Sequence, residues 1–252
     1  MTKDGGRRIA TSKGAMLADP NCLGNLLEAA GEALFDPEYW QRRGEILAVN
    51  RGRGAAWFVS TDTHRWVLRH FRRGGCIARF SRDRYIWTGE SRVRCFAEWR
   101  MLSTLSGLGL PVPKPVAARY RRTGFRYCCD LITQRIPDAD PLSAVLAVNS
   151  IPEPVWRGIG AAIARLHRAG ADHADLNAHN VLIDDKGASS VIDFDRGRLR
   201  EYRGGSRAWM QSNLRRLRRS LEKIALDLPH DRFSDEAWGW LLAGYRSQET
   251  GS

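Results

Sequence analysis

Two aspartates and one asparagine, placed on either side of a predicted β-hairpin, constrain this chain more than any other feature. The loop over 173–180 carries Asp175 and Asn180, a strand follows it, and the return strand ends at Asp193. A hairpin brings the residues before its first strand next to those after its second, so we expect these three side chains to converge. The order is loop, strand, turn, strand and acidic exit.

Phosphoryl transfer requires such a trio. One carboxylate orients the attacking hydroxyl or accepts its proton, while a carboxylate and an amide hold Mg²⁺ against the phosphates. His173, Asp175 and Asn180 have the spacing H-x-D-x-x-x-x-N of the protein-kinase catalytic loop, and Asp193-Phe194 matches the start of the DFG element. As an alternative, the aspartates are ordinary turn or cap residues. The joint pattern favours catalysis.

An antiparallel meander is predicted upstream, with strands over 44–50, 56–59 and 65–71. Gly52 and Gly54 lie in the turn between the first two strands. Glycines there let backbone amides approach phosphates, although a plain hairpin turn explains the same residues.

Arg69 and Glu98 are the candidate phosphate-anchoring pair. Arg69 lies on the third strand, where kinases carry a lysine, and Glu98 lies on an amphipathic helix predicted over 92–105. A guanidinium stays charged and binds both carboxylate and phosphate, so the ion pair remains physically sound. The alternative places both residues at the surface without a role.

Two histidines flank the catalytic loop, but the chain has no HExxH or Cys/His metal-binding spacing. We expect His173 to organise the loop by hydrogen bonds. His179 either contacts a substrate or is an ordinary packed or exposed histidine.

The predicted fold class is α+β: a two-lobed, protein-kinase-like fold with an N-terminal antiparallel sheet, one helix, and a mainly helical C-terminal lobe. Residues 1–20 are predicted as a poorly ordered arm, 21–136 as the nucleotide-binding lobe, and 137–252 as the catalytic and substrate lobe.

Charge points to an anionic partner. The 252 residues include 40 Lys and Arg against 28 Asp and Glu, a formal net charge of +12. Nucleic acid, anionic lipid and phosphorylated substrates all fit this excess. The five cysteines show no CxxC spacing, which argues against a disulfide framework and a zinc knuckle. No secretory signal or membrane-spanning run is evident, so we expect a cytosolic protein or one lying on a membrane surface.

The segment 213–224 has an apolar stripe with arginines beside it. Either this helix lies on a membrane surface or its stripe faces the protein core.

The sequences of four motifs narrow the class of protein. The segments over 52–57, 67–75, 173–180 and 192–199 closely resemble the 3-deoxy-D-manno-octulosonic acid (Kdo) kinases of Gram-negative bacteria. The resemblance implies ATP-dependent phosphorylation of the 4-hydroxyl of a Kdo residue on a lipid A precursor, at the cytoplasmic face of the inner membrane. It also implies peripheral attachment to an anionic membrane, with no obligate protein partner evident.

The resemblance implies a role for each matching residue. Asp175 would be the catalytic base or the carboxylate that orients the hydroxyl, and Asn180 and Asp193 would be the Mg²⁺ ligands. Arg69 and Glu98 would anchor the ATP phosphates, Gly52 and Gly54 would cover them, and Gln134 to Ile136 would form the adenine-facing hinge.

Other classes remain open. A lipopolysaccharide core heptose kinase has the same fold, and an Arg-rich nucleic-acid-binding protein fits the charge but lacks a recognisable binding motif. A kinase-like scaffold without catalysis is suggested by Arg69 in place of lysine. The chain has no APE element and few residues after Arg196, so a protein substrate is disfavoured.

Overall fold

A computed structural model describes residues 6–50, 56–72, 83–201, 208–229 and 232–248. The chain divides into two compact units. The first comprises Met1–Thr104 with Lys114–Arg135, and the second comprises Leu105–Pro113 with Ile136–Ser252. The segment 105–113 thus goes with the second unit, although the sequence assigned it to the first lobe.

The first unit is built on an antiparallel sheet in the order β1-β2-β7-β8-β5-β4-β3, with β6 paired to β8. The strands are β1 (Arg7–Thr11), β2 (Gly14–Ala18), β3 (Ile46–Asn50), β4 (Ala56–Ser60), β5 (Arg65–His70), β6 (Tyr85–Ile86), β7 (Pro115–Thr123) and β8 (Arg126–Gln134). The neighbouring pairs β3–β4 and β4–β5 confirm the predicted meander.

A poorly ordered arm was predicted over 1–20, and strands β1 and β2 correct that prediction for residues 7–18. Strand β2 pairs along its whole length with β7, and Ala15 to Ala18 are buried. At Gly14 an added Cβ would lie 2.2 Å from the backbone oxygen of Tyr120, so the glycine permits this close pairing. The strand was missed because its apolar run is short and gains its hydrogen bonds from a partner about 100 residues away.

Short helices cover one face of this sheet: α1 (Pro20–Leu23), α2 (Leu26–Ala30), a 3-10 helix (Gly31–Phe35) and α3 (Pro37–Arg42). Asp36 caps α3 by accepting from the Glu38 amide, and Pro37 occupies the first turn. Trp40 packs edge-on against Trp66 of β5, and both are fully buried. A second 3-10 helix (Glu90–Arg92) precedes α4 (Arg94–Gly107).

The second unit is mainly helical, with α5 (Leu142–Val148), α6 (Glu153–Arg168), α7 (Ala208–Ala225) and α8 (Asp235–Ser247). Its strands are β9 (Ala139–Pro141), β10 (Ala171–Asp172), β11 (Val181–Asp184), β12 (Ser189–Val191) and β13 (Arg198–Leu199). Strands β11 and β12 form the predicted hairpin. The α+β class, with a sheet-rich first part and a helical second part, is confirmed.

Helix α7 turns its apolar stripe inward. Leu217 and Leu221 are fully buried in the second unit. The stripe therefore belongs to the core, and the alternative that it lies on a membrane surface is wrong.

Helices α6 and α8 pack at backbone distance through glycines. A Cβ at Gly160 would lie 1.9 Å from the Leu241 oxygen, and one at Gly244 would lie 2.0 Å from the Arg157 oxygen. Nothing lies within 4 Å of a Cβ built at Gly158, two residues earlier in α6.

Two alanine substitutions in α6 test this packing. Gly160→Ala should lower the free energy of unfolding by about 1–3 kcal/mol or more, because the backbones of α6 and α8 must separate. Gly158→Ala is the matched control and should raise it by up to about 1 kcal/mol through helix propensity. Urea unfolding measures both, and equal effects would contradict the close packing.

Candidate active site

His173 fixes the loop between β10 and β11 from both sides of its ring. Its Nδ1 accepts from the amide of Asp175 at 3.1 Å, and its Nε2 donates to the backbone oxygen of Ile192 at 3.0 Å. The first bond holds the catalytic-loop aspartate, and the second holds the strand exit that leads to Asp193. The expectation that His173 organises the loop by hydrogen bonds is confirmed.

The ring of His173 is buried and neutral. Burial lowers its pKa, and the nearby carboxylates of Asp193 and Asp175 oppose that shift. Phe194, itself 1% exposed, packs against the ring with 4.7 Å between centroids. A neutral ring can accept at Nδ1 while it donates from Nε2, which is the pattern observed.

Asn180 is oriented by its own loop. Its Nδ2 donates to the backbone oxygen of Asp175 at 2.9 Å, and its backbone oxygen accepts from the Ile192 amide at 2.9 Å. Because the NH₂ group is engaged, the side-chain oxygen Oδ1 faces away from this contact. That oxygen is the atom of a carboxamide that binds a hard cation.

Asp193 has a φ of 64°, in the left-handed region. Aspartate tolerates this conformation better than most residues, and it costs of order 1 kcal/mol. The turn continues to Gly197, whose amide donates to the Phe194 oxygen at 2.8 Å. The strained residue is held by buried Phe194 on one side and by the Ile192–His173 bond on the other.

The donor set fits magnesium. Within the described ranges, no group of three or more His, Cys, Asp or Glu is placed to hold a metal alone. Mg²⁺ requires no such cage, because it commonly takes one or two carboxylates and completes its shell with water and phosphate oxygens. The asparagine oxygen of Asn180 and the carboxylate of Asp193 are donors of the kind that Mg²⁺ takes. Asn180 is bonded to the Asp175 and Ile192 backbone, and Asp193 directly follows Ile192, whose oxygen accepts from His173.

Helix α7 supports the loop from behind through three polar side chains. Asn213 Oδ1 accepts from the His173 amide at 3.0 Å, Arg216 donates to the Ala174 oxygen, and Ser220 Oγ accepts from the Ala178 amide at 3.2 Å. None was among the predicted site residues. Their spacing of three and four residues, beside the apolar stripe of α7, was the available signal.

Asn213 also belongs to a buried polar cluster. Its Nδ2 donates to Asp172 Oδ1 at 3.1 Å, and Asp172 receives Arg200 Nε at 2.6 Å. His167 lies against Asn213, and its Nδ1 is hydrogen-bonded to the Tyr245 hydroxyl at 2.8 Å. Burial lowers the pKa of His167 to about 4.

The first unit brings Arg69 and Glu98 together. Arg69 Nη2 donates to both carboxylate oxygens of Glu98 at 2.5 Å, and the guanidinium carbon lies 4.9 Å from the ring centroid of Phe71. The Glu98 side chain is 2% exposed and that of Arg69 is 24% exposed. The alternative of a solvated surface pair is therefore wrong, because a buried carboxylate depends on its partner.

The remaining predicted residues are placed as follows. Gln134 ends β8, and its amide donates to the Lys114 oxygen at 2.8 Å. Ile136 begins the second unit's main segment and is half-buried. Gly52 and Gly54 lie outside the described residues. His179 is exposed, and its Nδ1 lies 2.8 Å from Ser143 Oγ.

A family model described as lipopolysaccharide kinase (Kdo/WaaP) family matches residues 37–245. The chain is 42% identical over 201 residues to a 3-deoxy-D-manno-octulosonic acid kinase of Vibrio parahaemolyticus, covering 80% of this chain and 83% of the relative. It is 46% identical over 198 residues to one of Xanthomonas axonopodis pv. citri, covering 79% and 78%. A solved WbdD chain aligns with a TM-score of 0.44 at 14% identity, covering 81% of this chain and 45% of that one.

The buried histidines predict an acid-sensitive second unit. The pKa of His167 falls from 6.5 to about 4 on folding, and that of His173 also falls. The unfolded chain binds more protons below pH 6.5, so stability is full above that pH and declines as the pH falls towards 4. For His167 alone the loss is about 3 kcal/mol.

Denaturant unfolding at a series of pH values measures this loss. His167→Phe, which removes the titrating ring, should flatten the profile between pH 6.5 and 4. An identical slope in the parent and the variant would contradict a neutral buried His167.

Proposed function

The chain belongs to the lipopolysaccharide kinase (Kdo/WaaP) family, and from that premise we propose that it transfers the γ-phosphoryl group of ATP to the 4-hydroxyl of a Kdo residue on a lipid A precursor. The family match covers most of the chain, and the named relatives are aligned over about four-fifths of their length. The observation that carries the proposal is the loop geometry around His173. Its ring bonds the Asp175 amide and the oxygen of Ile192, the residue before Asp193, and Asn180 donates to the Asp175 oxygen.

Asp175 acts on the acceptor hydroxyl. Its backbone is fixed by the His173 and Asn180 bonds, while the residue itself is exposed. A carboxylate held in this way orients the hydroxyl and accepts its proton as the bond to phosphorus forms. The rigid backbone limits the positions the carboxylate can take, which lowers the entropic cost of alignment.

Asn180 Oδ1 and the carboxylate of Asp193 would hold Mg²⁺. When bound, the ion supplies positive charge that screens the ATP phosphates and stabilises charge on the transferring group. The chain's own contribution is to present both oxygens without reorganisation. The Nδ2 bond fixes the asparagine, and the left-handed backbone of Asp193 sets the direction in which its side chain leaves the chain.

Arg69 binds the ATP phosphates in this proposal, and Glu98 orients it. A guanidinium has five donors, so it can engage a carboxylate and a phosphate from different edges. The ion pair with buried Glu98 holds the guanidinium of Arg69 in place. Gly52 and Gly54 are proposed to cover the phosphates, and Gln134 to Ile136 to face the adenine.

The acceptor is proposed to lie at the cytoplasmic face of the inner membrane, with the enzyme attached peripherally. A Kdo-bearing lipid carries carboxylate and phosphate groups in an anionic bilayer, which the net charge of +12 complements. None of the helices in the described part of the chain is long and apolar enough to cross a bilayer.

Mass spectrometry of the acceptor after incubation with ATP and Mg²⁺ tests the proposal directly. Kdo-bearing lipid should gain one phosphate, and fragmentation should place it on the 4-hydroxyl. Transfer only to a heptose-bearing core acceptor would assign the chain to the heptose kinases instead. Absence of transfer to both would reject the proposal.

Replacing Asp175 tests its role. Asp175→Ala should lower kcat by about 10³-fold because the proton acceptor is lost, while the Kd for ATP stays unchanged. Asp185→Ala removes an exposed carboxylate from the β11–β12 turn and is the matched control, with unchanged kcat. Normal turnover in Asp175→Ala would remove this residue from the reaction.

Replacing Arg69 and Glu98 distinguishes the contribution of the ion pair to stability from the contribution of Arg69 to nucleotide binding. Arg69→Ala leaves Glu98 buried without its partner and should cost about 3–5 kcal/mol of stability. The double variant Arg69→Met/Glu98→Leu should recover most of that stability, because two apolar groups replace the pair. Its KM for ATP should stay raised about tenfold or more, and an unchanged KM would show that Arg69 does not bind nucleotide.

A further inference from the structure

One end of the sheet in the first unit carries exposed apolar side chains among cations. We call it the basic tip and define it by Lys13, Ile86, Arg121, Arg122, Phe125 and Arg126. It comprises the β1–β2 turn, the end of β6 and the β7–β8 hairpin. The β7–β8 turn lies beside the β1–β2 turn, because the Arg122 amide donates to the Lys13 oxygen at 2.7 Å.

Two large apolar side chains project from this tip. Phe125 is 70% exposed and Ile86 is 64% exposed. The two belong to neighbouring backbone segments, because Ile86 pairs with Arg126 and the Trp87 amide donates to the Phe125 oxygen at 2.9 Å. An aromatic and a branched aliphatic side chain, both exposed to water on neighbouring segments, have no function in the core of this unit.

The cations around them have no acidic partner in the described part of the chain. Within the described ranges, no carboxylate lies within ion-pair distance of Lys13, Arg121, Arg122 or Arg126. The neighbouring Glu90 is bound elsewhere, by Arg8 at 2.7 Å and by the Tyr120 hydroxyl at 2.8 Å. Among the described residues, the tip therefore presents four positive charges without a carboxylate partner, on the segments that carry its exposed apolar side chains.

Contacts within the tip hold two of its arginines. The guanidinium of Arg122 lies 4.8 Å from the Trp87 ring and donates to the Gly124 oxygen at 2.7 Å, and that of Arg126 lies 5.6 Å from the Phe125 ring. Between the β1–β2 turn and Trp87 is an open surface depression of about 470 Å³, which Lys13 and Arg122 help to line. A depression with two cations at its wall suits a phosphate headgroup.

Helix α7 is the competing basic surface, and it fits a bilayer less well. Its apolar stripe is buried, and Arg218 is paired with Glu222 at 2.8 Å and with Asp235 at 2.7 Å. The basic tip combines both requirements of an interfacial anchor, which are apolar side chains that enter the acyl boundary and cations that bind lipid phosphates.

We propose that the basic tip docks the first unit on an anionic phospholipid bilayer, with Phe125 and Ile86 inserted and the four cations on lipid phosphates. The inference rests on the proposed function, because an acceptor in a membrane requires the enzyme to reach it. An exposed aliphatic residue on the segment next to the aromatic one favours a bilayer over nucleic acid, whose bases stack on aromatic side chains.

Cosedimentation of the full chain with phosphatidylglycerol-containing vesicles tests this surface. Each cation near an anionic surface contributes about fivefold in affinity, so Arg121→Glu/Arg126→Glu should weaken binding about tenfold or more. Phe125→Ala/Ile86→Ala should also weaken it about tenfold, with an unchanged Tm. Arg215→Glu/Arg219→Glu on α7 makes the same charge change and should bind like the parent.

Activity on two acceptors separates this inference from the proposed function. The tip variants should phosphorylate a deacylated, water-soluble Kdo acceptor as the parent does and lose activity on the acceptor in vesicles. Tip variants that bind vesicles like the parent, or a parent that binds only phosphatidylcholine or only single-stranded oligonucleotides, would overturn the docking surface. A parent inactive on both acceptors would overturn the proposed function, while vesicle binding would still report on the tip.

Discussion

The imidazole of His173 is the contact on which the catalytic geometry depends. One ring nitrogen holds the amide of Asp175 and the other holds the carbonyl before Asp193, so a single neutral side chain sets the separation of two loop segments. This works only while the ring stays uncharged, because a protonated imidazole cannot accept at Nδ1. Burial supplies that condition by lowering the pKa. One face of α7 supports the loop, because three of its side chains form hydrogen bonds with the loop backbone: Asn213, Arg216 and Ser220.

The ion pair in the first unit follows a different logic. Glu98 is buried, and removing a carboxylate from water costs several kcal/mol unless a cation compensates it. Arg69 supplies that charge and is more weakly hydrated than a lysine, so burial beside Phe71 costs it less. Arginine at this position is therefore compatible with an active nucleotide site, and its presence does not indicate a scaffold without catalysis.

The features predicted from the sequence are those that depend on the spacing of residues close together in the chain. The catalytic block, the β3–β4–β5 meander and the contact between Arg69 and Glu98 all follow from motif order and strand alternation. Contacts between distant segments could not be read in this way. Strand β2 exists because β7 pairs with it, and Asn213 matters because it reaches back about 40 residues to His173. The basic tip could not be predicted from the sequence either, because the segments that carry Lys13, Ile86 and Phe125 become neighbours only in the folded sheet. The apolar stripe of α7 shows another limit of the sequence. Its periodicity revealed the stripe but could not decide whether the stripe packs in the core or lies on a membrane surface.

Our central proposal is that Asn180 and Asp193, which lie in the two segments that His173 joins, form a divalent-cation site. Crystals grown with Mn²⁺ and a non-hydrolysable ATP analogue would test it most directly, because Mn²⁺ takes the oxygen ligands of Mg²⁺ and gives an anomalous signal. We predict an anomalous peak bonded to Asn180 Oδ1 and to a carboxylate oxygen of Asp193. A peak bonded to the nucleotide but to neither side chain would contradict the account.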